Sequence, residues 1–541
     1  MKPSTLLMAL GRGIRSLLGK AGRPLLYLVA AALSLGWILA LARQHFMMMM
    51  QPGPQELNEP AAWYATWLLD QGRNPYSVQE MPGSAQFFGP LYSYVVLALK
   101  PVLGIDYPAH RILNFVCILL TLWLLCSRMV RLGASRTLAL VAGALLYWIF
   151  NQNILITARP DALGMLFFVA GIIIPWERGY RRWPVVIGLA CAVLAFHCKA
   201  YFALSGTATL LGVACHRSKG EALAMGAGFF AAIFATIGIF MYFYPLYYAE
   251  VFVMQSGTVV VNSNSDILYM HTAMLVERAW PYLLILSFAC AHFAARYDWK
   301  ANLAFARAHW RDLRTPLTAQ PLPVLGLVLI VHLVLMQAVM GRNGGATFTY
   351  HIHLLYPLFM LALAAYATTP RRDVIAVVLL AVCTQLNFEL DGAPDSSPAY
   401  TQLAKKLEPY QNVLGIASTT EILARQGKAV HNDGFTIFVP CAFGGGLLGR
   451  TKSVDALNQR YAESLDAIKD DVINHRVDVI MTQDRWCYLC DMDTVRANYE
   501  VHPDERMDLP MRFAWDNIDF WYPKSPPTPA TPPSPPAPPP P

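Results

Sequence analysis

Two acidic residues of one polar stretch, Glu56 and Glu59, and the pentad Thr157-Ala-Arg159-Pro-Asp161 are the positions best suited to carry chemistry. Carboxylates on separate elements serve as general bases, as metal ligands, or as both. Arg159 and Asp161 stand at the lip of the apolar run Ala162-Leu-Gly-Met-Leu-Phe167. Charge at the edge of a membrane helix is costly and usually functional. A plainer account also exists: Asp161 follows Pro160, and a proline followed by an acid is what a helix start and its macrodipole favour. Loop glutamates, likewise, are by default solvated.

The elements that must position these groups are membrane helices. The chain has 541 residues, 55% of them hydrophobic and 14% charged, with a mean hydropathy of +0.37. That is too apolar for a soluble protein of this size, and it indicates a polytopic α-helical membrane protein. Apolar stretches near the roughly 20 residues a span requires recur at 25–43, 109–127, 137–156, 160–175, 184–197, 200–215, 221–244, 279–296, 321–340, 351–367 and 373–388, about eleven in all. The net charge of +7 reports topology rather than an anionic partner. Lys2, Arg12, Arg15, Lys20 and Arg23 precede the first span; Arg128, Arg131 and Arg136 follow the second; Arg178, Arg181 and Arg182 follow the fourth. Arg217 and Lys219, then Lys300, Arg307, Arg311 and Arg314, then Arg371 and Arg372 continue the series. Under the positive-inside rule these loops are cytoplasmic, which puts the N-terminus inside and everything after the last span outside a cytoplasmic (inner) membrane. Membrane lipids are expected partners and nucleic acid is not. The first span has a basic flank and a long core without a convincing small-residue cleavage site, so it is read as retained.

The expected organisation is a basic cytoplasmic N-terminus (1–24), a transmembrane domain (25–388) with a long first outer loop (44–107), an outer α/β domain (389–524) and a proline-rich, disordered tail (525–541). Within the loop, Phe88 to Lys100 is apolar but short; as a span it would invert every later loop, so it is read as an interfacial or re-entrant helix. In the outer domain, helices are expected at 399–410, 420–426 and 454–475 and strands at 413–418, 436–440 and 477–482. Gly444-Gly-Gly446 sits in no phosphate-loop pattern. Of ten cysteines, Cys441, Cys487 and Cys490 fall outside the spans; Cys487 and Cys490 have redox-motif spacing without a thioredoxin context, and a zinc site would need further ligands.

The order of residues around the acids carries more than any one of them. Asn58-Glu59-Pro-Ala-Ala-Trp-Tyr64, then Leu69-Asp-Gln-Gly72-Arg-Asn-Pro75-Tyr76, then Phe88-Gly-Pro90-Leu-Tyr92 resembles the first outer loop of GT-C integral-membrane glycosyltransferases, the relatives of protein mannosyltransferases and lipid A aminoarabinose transferases. Ala158-Arg-Pro-Asp161-Ala-Leu is similar to the acidic second outer loop of such enzymes. Phe196-His-Cys-Lys199-Ala-Tyr201 and Gly344-Gly-Ala-Thr-Phe-Thr-Tyr350 match further positions, with Ala200 where relatives often carry glutamine and Thr349 where they often carry asparagine. The resemblance spans most of residues 20–390.

What it implies is a glycosyltransferase, transferring a hexose or pentose with inversion, that draws on a polyprenyl-phosphate-linked sugar donor and a lipid, glycan or protein acceptor. Glu59 would act as base on an acceptor hydroxyl or position it, with Glu56 as an additional acid. Asp161 would assist, or bind a divalent cation (Mg2+ or Mn2+), the one cofactor implied. The leaving lipid phosphate requires cations on the outer side, for which Arg159, Lys199, Arg342 and Arg278 are candidates, with Tyr350 and His351 nearby. Arg278 beside Trp280 also suits an interfacial anchor, and Lys199 a snorkelling lysine. Two other readings share the many spans: an oligosaccharide ligase or oligosaccharyltransferase acting on lipid-linked glycans, and a transporter or flippase, for which no internal repeat is found.

Overall fold

The computed structural model describes residues 22–151, 156–254, 297–319, 360–361, 363–364, 366–387, 394–434, 451–483, 487, 489–511 and 515–524. Helices α1 (Arg23–Met49), α2 (Glu59–Asp70), α3 (Leu91–Leu103), α4 (Tyr107–Arg131), α5 (Arg136–Asn151), α6 (Asp161–Glu177), α7 (Arg182–Cys198), α8 (Leu204–His216), α9 (Lys219–Phe243), α10 (Trp299–Ala308) and α11 (Pro370–Asn387) form the first part of the chain. Three of them, α1, α4 and α9, are long and apolar enough to cross a membrane.

Each expected span that lies within the described residues is a helix, but α5, α6, α7 and α8 hold only 16, 17, 17 and 13 residues. At 1.5 Å per residue these are about 20–25 Å long, short for the hydrocarbon layer. The stretch expected at 200–215 opens with a 3-10 turn, Ala200–Ala203, before α8. The stretches at 279–296 and 321–340 lie outside the described residues, and that at 351–367 does so in large part. The apolar segment from Phe88 forms α3, a helix too short to span, whose Lys100 pairs with Asp70 of α2.

One buried carboxylate ties the basic ends of three helices. Asp373, in the first turn of α11, accepts from the Tyr27 hydroxyl of α1 at 2.7 Å and from the Ser135 amide between α4 and α5 at 2.9 Å. The start of α1, the end of α4 and the start of α11 therefore share one side. The end of α1 and the start of α4 meet at the opposite side, where the first loop begins.

The C-terminal part adds α12 (Ser397–Leu407), α13 (Thr420–Arg425), α14 (Lys452–Ile473) and α15 (Met492–Asn498) around a sheet of β1 (Val413–Leu414), β2 (Val479–Gln483), β3 (Tyr499–Val501), β4 (Met507–Pro510) and β5 (Trp515–Pro523). The order is β1-β2-β5-β3, with β4 also on β5. Only β1 and β2 run parallel. Strand alternation sends Val479 and Met481 to one face, with Leu403, Leu407, Ile422 and Phe520, and Ile480 to the other, with Ile468, Val472, Val495 and Trp521. The sheet is thus sandwiched between α12 and α13 on one side and α14 and α15 on the other. These elements differ from the expected ones: β1 is two residues rather than six, since Ala417–Thr419 turns as 3-10, and the central strand β5 has no counterpart among the expected strands. The strand expected at 436–440 and the tail lie outside the described residues.

Asp493 carries a side chain that is 99% exposed. With Cys441, Cys487 and Cys490 replaced by serine, an Asp493→Cys variant in oriented vesicles should be labelled by a membrane-impermeant maleimide from the outer face alone; labelling from the cytoplasmic face would invert the topology.

Candidate active site

The first loop is organised around a fully buried arginine on α4. Arg111 Nε and Nη2 reach Glu59 Oε1 and Oε2 at 2.9 and 2.7 Å, a two-pronged pair with neither side chain exposed. The remaining donors bind the carbonyls of Gln51 at 2.8 Å and Gly53 at 2.7 Å, with that of Met48 at 3.3 Å. Glu59 in turn accepts from the backbone amides of Gln55 and Ala158, each at 2.5 Å. Both partners of the pair are thereby saturated with hydrogen bonds, the condition under which ions tolerate burial.

This corrects the expected role of Glu59. A base must reach its proton donor, yet Glu59 has no exposed surface and four donors on its two oxygens. Its position suits it to shaping the loop. Arg111 was overlooked in the sequence because it falls inside an apolar stretch; the charge itself, one turn into a span, was the available signal.

Glu56 is differently placed. It is 8% exposed and accepts from the Asn58 amide at 2.9 Å and the Asn58 side chain at 2.5 Å. Arg159 Nη1 lies 3.2 Å away. Burial raises its pKa above the ordinary carboxylate range, against the opposing pull of Arg159.

Arg159 bridges onward, its Nε lying 3.3 Å from Asp161 Oδ2. Asp161 Oδ1 accepts from Lys199 Nζ at 2.6 Å, with the Tyr201 hydroxyl at 3.4 Å. Glu56, Arg159, Asp161 and Lys199 thus form a chain of alternating charge, built from the first loop, the turn before α6 and the break after α7. Asn114 of α4 holds the turn by donating to the carbonyls of Thr157 and Arg159. The start of α6 carries no side-chain cap hydrogen bond; Asp161, in its first turn, has its oxygens directed at the two cations.

Phe88 lies against both cations, its ring centre 5.4 Å from the Arg159 guanidinium carbon and 4.9 Å from Lys199 Nζ. The next residue, Gly89, presses on the α7 terminus so closely that a Cβ there would sit 2.3 Å from the His197 carbonyl oxygen. Lys199 is 6% exposed, in the break between helices. Burial pushes its ammonium down to about 7, with Asp161 pulling the other way. A buried partner at 2.6 Å replaces the snorkelling reading.

The residues around Asp161 do not fit a divalent cation. Arg159 and Lys199 occupy its surroundings, and like charge opposes a metal there; no group of three or more His, Cys, Asp or Glu able to hold a metal occurs among the described residues. Arg278, Arg342, Tyr350 and His351 lie outside the described residues.

A second acidic locus was absent from the sequence reading. Gln86 donates its amide to Glu250 Oε2 at 3.0 Å and its side chain to Asp433 Oδ2 at 2.9 Å. Asp433 also accepts from the Ala85 amide at 2.9 Å. Glu250 sits on a π-helical turn, Ala249–Met254, and burial holds its pKa well above the carboxylate range. Asp433 belongs to the C-terminal domain, which here grips the first loop. Gly434, at φ +102°, lies so near that a Cβ would come within 2.7 Å of the Leu57 carbonyl oxygen, next to Glu56. A lone carboxylate in the apolar run Tyr247 to Met254 was the one sequence signal for Glu250.

Removing one partner of a buried pair strands the other. Arg111→Met and Glu59→Gln should each destabilise the purified protein by about 3–5 kcal/mol, read as a lower unfolding temperature. Glu56→Gln, which leaves Arg159 paired with Asp161, should lower that temperature by less.

No protein-family model and no curated protein sequence matches the chain. Among solved structures it is similar to ArnT from Cupriavidus metallidurans in the apo state, at 15% identity over 81% of this chain and 80% of that one, with a TM-score of 0.38. It is similar to the same protein bound to undecaprenyl phosphate, at 16% identity over 84% and 81% with a TM-score of 0.37. It is also similar to the Archaeoglobus fulgidus oligosaccharyltransferase tethered to an acceptor peptide, at 11% identity over 93% and 74% with a TM-score of 0.38. Likeness at this level carries no argument about activity, which rests on the residues themselves.

Proposed function

We propose that this protein is a membrane glycosyltransferase that moves a sugar from a polyprenyl-phosphate donor to an acceptor hydroxyl at the outer face of the cytoplasmic membrane. The observation that carries the reading is the alternating chain Glu56–Arg159–Asp161–Lys199, in which a carboxylate of raised pKa adjoins one buried cation and Asp161 joins that cation to a second. The order of motifs in the first and second outer loops, which resembles that of GT-C transferases, supports the same class.

In this reading Glu56 takes the proton of the acceptor hydroxyl as its oxygen attacks the anomeric carbon from the face opposite the lipid phosphate. The bond between that carbon and the phosphate oxygen breaks, and its electron pair leaves with the phosphate. Arg159 and Lys199 stabilise the charge that develops there, and inversion follows from the opposite-face attack. Asp161 positions both cations, Glu59 with Arg111 holds the loop, and no step is routed through a metal. A lipid-linked donor fits carboxylates placed away from cytosolic nucleotides.

Glu56→Gln and Asp161→Asn should each lower transfer from polyprenyl-phosphate sugar in vesicles by about 10²–10⁴ while the protein still inserts. Full activity in the Glu56 variant would sink the assignment of the base.

The pH profile is a separate check. Glu56 must be ionised, and because its pKa is raised, activity should fall on the acid side at a pH above the ordinary carboxylate range. Lys199 must be protonated, and because its pKa is lowered to about 7, activity should fall again as pH rises through that value. Lys199→Arg should keep the charge and displace the alkaline limb upward; an unmoved limb would dissociate Lys199 from it.

A further inference from the structure

Helix α10 and the residues after it form a surface unrelated to the site above. Asp298 caps the helix, its Oδ1 accepting from the Ala301 amide at 2.9 Å. The following segment is strapped to the turn between α8 and α9. Gly220 N donates to Leu313 O at 2.8 Å, Leu317 N to Ala214 O at 2.8 Å, and Lys219 Nζ to His309 O at 2.5 Å. Since α9 begins at Lys219 and is long and apolar enough to cross a membrane, this turn, and α10 with it, lies at a membrane face.

What α10 presents there is two-natured. Trp299 and Leu303, one helical turn apart, are 59% and 53% exposed, and Trp310 and Leu313 in the strap are 70% and 52% exposed. Interleaved with them are Lys300, Arg307, Arg311 and Arg314, all exposed and none paired with a carboxylate among the described residues. The acids of the segment are otherwise engaged, Asp298 as the cap and Asp312 with the Arg314 amide at 2.9 Å. Large apolar side chains in water next to unpaired cations make a poor soluble surface. They make a good interfacial one, because tryptophan favours the headgroup level and lysine and arginine bind lipid phosphate there.

We propose that residues 298–314 form a docking surface for anionic phospholipid: Trp299, Leu303, Trp310 and Leu313 enter the boundary between headgroups and acyl chains, while Lys300, Arg307, Arg311 and Arg314 bind headgroup phosphates. Charge complementarity selects this occupant, and the strap at the start of α9 fixes its depth. The surface does not depend on the proposed transferase activity.

The test uses the full chain in nanodiscs of phosphatidylcholine, with or without phosphatidylglycerol. Nitroxide labels at Leu303→Cys and Lys300→Cys report depth through their relative accessibility to oxygen and to a water-soluble nickel complex. The Leu303 label should lie at the acyl boundary and the Lys300 label among headgroups. Retention of phosphatidylglycerol, followed by native mass spectrometry, should weaken by about fivefold for each basic residue changed to glutamine. A water-exposed Leu303 label in both lipids would overturn the proposal, as would retention unchanged in a variant with all four replaced. So would shielding of the label only on addition of a soluble acidic protein. Should the fourfold variant fail to fold, Lys300→Gln/Arg307→Gln and Arg311→Gln/Arg314→Gln read the same loss in two halves.

Discussion

The buried pair of Arg111 and Glu59 is the interaction on which the rest of the site depends. An arginine one turn inside an apolar helix has no water to satisfy it, so its donors must all find protein acceptors. They find the Glu59 carboxylate and the carbonyls of the chain leaving α1, and Glu59 completes the arrangement by accepting from Ala158. Two charges therefore fasten three separate parts of the chain: the end of α1, the start of α2 and the turn before α6. Glu56 and Arg159 are each within three residues of a fastened point. Their approach to 3.2 Å follows from a scaffold in which neither takes part.

The chain of charges that results is neutral as a whole, two carboxylates and two cations in alternation. Neutrality is what lets four ionisable groups sit together nearly excluded from water. In the proposed reaction, a phosphate beside Arg159 and Lys199 would add a third negative group to a site where the cations are already oriented by Asp161 and by the Phe88 ring. Orientation of donors before the charge develops is the larger part of what such a site contributes.

How far the sequence revealed this differed by kind of residue. Spans were legible because twenty apolar residues in a row have few alternative explanations. Asp161 and Arg159 stood out because charge at a span's edge is conspicuous. Arg111 did not, since a single cation inside an apolar stretch is averaged away by a hydropathy window. The division of labour between Glu56 and Glu59 was hidden for a different reason: three residues apart in a loop, they are equivalent until the distant Arg111 selects one. Lys199 could be located but not paired, because its partner is 38 positions away. In the C-terminal domain, β1 was overextended because Ile416 looks like strand, whereas the Ala417–Thr419 turn is fixed by Thr419 bonding back to the Ile416 carbonyl.

Gln86 is separated by 347 positions from the Asp433 carboxylate that receives its side chain. A ribosome feeding this chain into a membrane completes the first loop and every residue of the charge chain long before Asp433 exists. Until the C-terminal domain has folded, Gln86 and the Ala85 amide lack the Asp433 carboxylate. The loop therefore acquires its final shape late, by assembly between an early and a distant later part of the chain, and its finished form is a record that the C-terminal domain has been made and folded.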